Sequence, residues 1–133
     1  AVRDYIDHLK STVINSLEGM NIAVDCANGS ASVSAEMLFK ELGANADILH
    51  NKPNGININR NCGSTHMEEL QARVVFEHAQ VGLAFDGDAD RCLAVDEKGN
   101  EIDGDKILAI ISKNLKKKGK LSKVCTAGSY QLP

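Results

Sequence analysis

The chain is 133 residues long, 43% hydrophobic and 25% charged, which fits one domain with one core and an ordinary globular composition. Its 15 basic and 18 acidic residues leave a formal charge of −3, and aromatics make up only 4% with no Trp. A broad basic surface for phosphates and an aromatic platform for bases are both excluded, so nucleic acid is not an expected partner. No apolar run approaches the roughly 18 residues of a spanning helix, so a membrane is not expected either.

Val2, Tyr5, Ile6, Leu9 and Val13 recur at helical spacing and predict an amphipathic helix over 2–16. The apolar run 22–26 predicts a buried strand, and Ala27-Asn-Gly-Ser30 a turn. Val33, Met37, Leu38 and Leu42 mark a second helix closed by Gly43. A second strand follows over 45–50. Residues 51–65 hold five asparagines, two glycines and a proline, a long connection of the kind that is usually functional or disordered. Its end, Thr65-His-Met-Glu68, has the form of a capping box for a third helix reaching about residue 78. Strands are predicted at 81–85 and 92–95, the latter leading through Asp96-Glu-Lys-Gly-Asn100 into a hairpin partner near Ile102. Asp103 or Asp105 caps a last helix that ends in Lys116-Lys-Lys118-Gly119, where lysines suit the negative helix end. A final strand is expected near 123–127.

Strands alternating with helices imply a layered α/β/α domain with a mixed, largely parallel sheet. In such sheets ligands gather beyond the carboxyl ends of the strands. The loops after Cys26, His50 and Phe85 are therefore expected to form the site together. The four cysteines, at 26, 62, 92 and 125, are widely spaced, which disfavours a zinc site built on paired cysteines. Cys26, Cys92 and Cys125 lie in apolar runs read as buried strands. Reduced core thiols are expected, as in a cytoplasmic protein.

The sharpest chemical feature is Phe85-Asp-Gly-Asp-Ala-Asp-Arg91. Three carboxylates at alternate positions raise one another's pKa unless a cation compensates them. Mg2+, which takes oxygen ligands at about 2.0–2.1 Å, is the natural one. Alternate residues of an extended strand lie about 6.7 Å apart, so the loop must curl for Asp86, Asp88 and Asp90 to share an ion; Gly87 is expected to permit this. Arg91 brings the local charge to balance and offers a fork for phosphate, the equipment of phosphoryl transfer. An EF-hand loop starting at Asp86 is rejected, because Arg91 stands where its turn glycine is needed. A haloacid-dehalogenase-like phosphatase with Asp86 as nucleophile stays open, as does a non-catalytic metal- or phosphate-binding module. Asn28-Gly29-Ser30 is either an anion loop or a helix cap made by Ser30 or Ser32. His66 faces either the site or solvent.

Taken together, Val24-Asp-Cys-Ala-Asn-Gly29, Pro53-Asn-Gly-Ile-Asn-Ile-Asn59, Cys62-Gly-Ser-Thr-His66, Asp86-Gly-Asp-Ala-Asp-Arg91 and Gly104-Asp-Lys-Ile-Leu108 resemble the second domain of the α-phosphohexomutase family. The asparagine-rich and Cys-Gly-Ser-Thr-His elements are similar to its glucosamine branch. The resemblance runs to about residue 124, giving a metal-binding domain over 1–125 and an unmatched tail over 126–133. It implies interconversion of glucosamine 6-phosphate and glucosamine 1-phosphate through a phosphoserine carried on another domain. It also implies Mg2+ held by Asp86, Asp88, Asp90 and a phosphoserine oxygen, with Arg91 as a supporting catalytic cation near the phosphate. The implied partners are the phosphosugar and the other domains of one parent chain. No Thr-Ala-Ser-His-Asn-Pro loop occurs in this sequence, so the chain alone is expected to be inactive.

Overall fold

The computed structural model describes residues 1–119, 126–127 and 130–131. In chain order the elements are α1 (Val2–Thr12), β1 (Asn21–Asp25), α2 (Ala35–Glu41), β2 (Asn45–Leu49), α3 (Glu68–Phe76), β3 (Val81–Phe85), β4 (Cys92–Asp96), β5 (Glu101–Ile102), α4 (Gly104–Lys117), β6 (Thr126–Ala127) and β7 (Tyr130–Gln131). Short 3-10 turns occupy Ser30–Val33 and Gly63–Thr65. The chain divides into two units, Ala1–Glu101 and Ile102–Pro133.

A five-stranded sheet runs in the order β2-β1-β3-β4-β5. β1 lies between β2 and β3 and is parallel to both, whereas β3 and β4 are antiparallel. The mixed, largely parallel sheet expected from the sequence is therefore present. Side-chain alternation along β1 makes two cores from one strand. Ala23 joins Leu70 and Val74 of α3 together with Ala84 and Val95. Ile22 and Val24 join Ala31 and Ala35 on the other side. Leu70 and Val74 are fully buried, each burial stabilising the layer by roughly 1.5–3 kcal/mol. Arg73 adds a polar tie from α3 to β2 through Asp47, at 2.8 Å.

Several local expectations are corrected. α1 stops at Thr12 and not near residue 16, because Val13 is already extended and the Ser11 and Thr12 hydroxyls donate back to the His8 and Leu9 carbonyls. α3 ends at Phe76, with His78 in the left-handed region. Thr65 does not cap α3: the N-cap residue is Met67, and the Thr65 hydroxyl lies 3.2 Å from His66 Nδ1. Glu68 and Glu69 in the first turn supply the negative charge that a helix start favours. Of the two candidates for the α4 cap, Asp103 serves, accepting from the Lys106 amide at 2.9 Å. Within its own unit α4 leaves Leu108, Ile110 and Ile111 about half exposed or more. The strand expected near 123–127 is described only at Thr126–Ala127; the rest of that span lies outside the described residues.

α1 is held to α2 by charge. Glu41 accepts from Arg3 at 2.9 Å and from Lys10 at 2.7 Å. The Arg3 hydrogen bond, then that of Lys10, holds the Glu41 carboxyl down to about 2. A depressed carboxyl stabilises the fold fully above its ordinary value of 4.5, and the contribution is lost as pH falls through about 2. The stability difference between the chain and Glu41→Gln, read from urea melts, should therefore fade between pH 4.5 and about 2. The pair is partly exposed, so the difference should also shrink in high salt.

Candidate functional site

The carboxyl ends of β1, β2 and β3 lie side by side because these strands are parallel, and the loops that leave them meet there. Asn28 N–H donates to the His50 carbonyl at 2.7 Å, Asn59 N–H to Ala27 at 2.9 Å, and Ser30 N–H to Gly87 at 2.8 Å. The approach of the 27–30 loop to the 86–91 loop is so close that a Cβ on Gly29 would stand 2.2 Å from the Gly87 carbonyl oxygen. A Cβ on Gly87 would in turn stand 2.7 Å from Ile58 and Asn59. Glycine is thus required at 29, where the neighbour is backbone, whereas at 87 the neighbours are side chains that can shift. The asparagine-rich connection is ordered by its own amides: Asn57 donates to the Lys52 carbonyl and accepts from Asn54 N–H, and Asn54 accepts from Ile56 N–H. Such side-chain turns explain the asparagine content.

Asp86, Asp88 and Asp90 each place a carboxylate oxygen within 4.8 Å of the others. The curl that achieves this differs from the expected one. Gly87 does not take a positive φ; Ala89 does, at 59°, and its N–H closes the turn onto the Asp86 carbonyl at 3.1 Å. Asp86 is 3% exposed, while Asp88 and Asp90 face solvent. Burying a carboxylate requires a partner, and Arg91 supplies it: Nε donates to Asp86 Oδ2 at 2.7 Å and the backbone N–H to Oδ1 at 3.2 Å. These hydrogen bonds hold the Asp86 carboxyl below its ordinary value and raise Arg91 above its own. Asp90 is pushed the opposite way, raised by its contact with Asp86 and then Asp88. Three crowded oxygen donors, one of them hard to ionise without compensation, suit a hard divalent cation.

The remaining sequence candidates fall as follows. Neither Ser30 nor Ser32 caps the turn over Ser30–Val33; the Ser32 hydroxyl is buried without a hydrogen-bond partner. Asn28 is 9% exposed and is spent inside the loops, accepting from Lys52 N–H at 3.1 Å. His66 is exposed. Cys26 and Cys62 are buried free thiols, and burial pushes Cys26 up to about 12. Cys92, the first residue of β4, is exposed, a correction of the buried reading. Cys125 lies outside the described residues.

A second constellation escaped the sequence reading. Asp25 is fully buried at the end of β1, accepting from Ala27 N–H and Gly63 N–H at 2.8 Å each. His50 Nδ1 lies 3.1 Å from it, and Cys62 Sγ falls within 4.8 Å of both. The signal was an aspartate inside the apolar run 22–26, a placement that demands partners from elsewhere. A cavity of about 390 Å³ adjoins this group, lined in part by Asn28, His50, Lys52, Glu69 and Arg73.

Residues 3–99 match the family described as phosphoglucomutase/phosphomannomutase, alpha/beta/alpha domain II. The chain is 60% identical to phosphoglucosamine mutase of Clostridium botulinum (strain Loch Maree) over 123 residues, covering 92% of this chain and 27% of that protein. It is 61% identical to the protein of the same name from Clostridium acetobutylicum, again over 92% of this chain and 28% of the relative. The chain therefore spans little more than a quarter of these relatives' length. Among solved structures, a phosphoglucomutase/phosphomannomutase family protein of Burkholderia thailandensis superposes with a TM-score of 0.78 at 26% identity, over 89% of this chain and 26% of that one. An N-acetylphosphoglucosamine mutase of Aspergillus fumigatus shares the fold at a TM-score of 0.58 and 21% identity, over 87% of this chain and 23% of its own.

The loop junction leaves no room for a methyl group. Gly29→Ala should lower stability by about 1–3 kcal/mol, as overpacking against backbone does, measured by urea denaturation. A fully stable Gly29→Ala chain would show that the two loops do not meet as described.

Proposed function

The chain belongs to the phosphoglucomutase/phosphomannomutase family, as an α/β/α domain II, and on that premise we propose that it is the Mg2+-binding domain of a phosphosugar mutase. The interconverted sugars are glucosamine 6-phosphate and glucosamine 1-phosphate, after the names of the relatives at about 60% identity. The observation that carries the reading is the convergence of Asp86, Asp88 and Asp90 at the end of β3, with Arg91 beside them.

In this reading Asp86, Asp88 and Asp90 hold the metal. Their donors are all oxygen, which fits Mg2+ better than a soft ion. When bound, the ion supplies positive charge that neutralises oxygens of the phosphoryl group in transit. Arg91 acts from the chain itself. Its Nε is committed to Asp86, so the guanidinium is fixed in direction while its outer N–H groups remain for a phosphate oxygen. Its side chain is 70% exposed, open toward an incoming phosphate. Asp86 in turn fixes the loop by accepting the Arg91 amide. The phosphoserine and the sugar-reading loops belong to other domains of one parent chain, and the domain here is taken as 1–125. A cytoplasmic placement is proposed on the buried free thiols; no helix among the described residues is long and apolar enough to cross a membrane. The phosphatase reading is disfavoured, because Asp86 is buried and its carboxylate is occupied by Arg91.

Calorimetric titration of the chain with Mg2+ should give one site weaker than micromolar, because one ligand comes from the phosphoserine of another domain, and Asp88→Asn should abolish it. Submicromolar affinity, or binding unchanged in Asp88→Asn, would count against the proposal. In a coupled assay the chain alone should form no glucosamine 1-phosphate, since it carries no serine loop; turnover by this polypeptide would overturn that part.

A further inference from the structure

We propose that Asp25, His50 and Cys62 form a second metal site, selective for a borderline-soft divalent ion such as Zn2+ and separate from the aspartate loop. Three segments converge to make it: the end of β1, the first residue after β2 and the start of the turn over Gly63–Thr65. One oxygen, one nitrogen and one sulfur donor lie within 4.8 Å of one another. Around a tetrahedral Zn2+ such donors stand about 3.3–3.6 Å apart, so a small closure completes the set. Hard Mg2+ avoids sulfur and nitrogen, whereas Zn2+ accepts all three.

The orphaned atom in this group is His50 Nδ1. It is buried, stands 3.1 Å from Asp25 Oδ1, and makes no hydrogen bond to it or to any other group. The opposite ring nitrogen, Nε2, lies 3.1 Å from Glu69 Oε2. When Nε2–H donates to Glu69, Nδ1 presents a bare lone pair beside a carboxylate oxygen. Two electron-rich atoms at that separation repel unless a proton or a metal ion joins them. The pairing of a ligating histidine's far nitrogen with a carboxylate is the usual support of a zinc-bound imidazole. Asp25 also has donor capacity left. Each of its oxygens accepts one backbone N–H and keeps a further lone pair.

Charge closes as well. Metal entry displaces the Cys62 thiol proton to solvent, and thiolate, carboxylate and neutral imidazole then balance one divalent ion. A neutral assembly is what a buried place tolerates. The adjoining cavity, bordered by Asn28, His50 and Glu69, reaches the His50 side of the group.

The test is a Co2+ titration of the whole chain in excess Mg2+, which occupies the aspartate loop. One equivalent of Co2+ should produce sulfur-to-metal charge-transfer absorption with the intense bands of four-coordination. Both should vanish in Cys62→Ser and persist in Cys92→Ser, and Zn2+ should displace the Co2+. His50→Asn, which tolerates the left-handed backbone at this position, should weaken Zn2+ binding more than tenfold. Glu69→Gln, at an exposed position, should weaken it about tenfold. Absence of the sulfur band in the unaltered chain, or its survival in Cys62→Ser, overturns the proposal. Should Cys62→Ser fail to fold by circular dichroism, Glu69→Gln decides, and unchanged Zn2+ affinity overturns it.

Discussion

Backbone meeting backbone at the ends of three parallel strands is the constraint from which the rest of this structure follows. The loop after β1 lies on the loop after β3 so closely that Gly29 has no room for a Cβ, and Gly87 packs under Ile58 and Asn59. The 51–62 connection closes over both, with Asn59 donating to Ala27. These main-chain contacts are supplemented by asparagine side chains, Asn28 accepting from Lys52 N–H and Asn57 from Asn54 N–H. The side chains that remain are polar and crowd into a small volume. Catalytic and binding groups gather on loops held by a rigid scaffold for this reason.

Crowding creates an electrostatic problem, and the chain solves it twice in different ways. At the end of β3, Asp86 is buried and compensated by Arg91, while Asp88 and Asp90 stay in solvent and share the remaining repulsion. At the end of β1, Asp25 is fully buried and compensated by two backbone N–H groups. The first group offers only oxygen; the second offers oxygen, nitrogen and sulfur. Donor softness, more than charge, separates the cations these two places would take.

Much of the framework was legible in the residues. Apolar runs at 22–26 and 81–85 are too short for buried helices and too apolar for loops, so they read as strands, and both are. The Asp-Gly-Asp-Ala-Asp-Arg run announced a carboxylate cluster because three alternate aspartates in one short turn lie close together. Errors arose where a local rule had a competitor. Thr65 satisfied the capping-box pattern, yet its hydroxyl found His66 and the helix began later. Ser11 and Thr12 turned onto helix carbonyls and α1 ended early. Gly87 is the residue expected to supply the backbone angles of the curl, yet it has no positive φ and Ala89 takes the unusual one.

The order of strands and helices, the alternation of faces and the position of the acidic loop follow from the sequence itself. They depend on periodicity and on charge between neighbours, which act over a few residues. The partners of Asp25, the role of glycine at 29 and 87, and the union of His50 with Cys62 depend on which strand ends lie side by side. That adjacency is a property of the folded sheet: β1 lies between β2 and β3, though β3 begins 56 residues after β1 ends (81 − 25). Contacts over such separations are chosen by burial of the whole layer, so no local pattern can announce them.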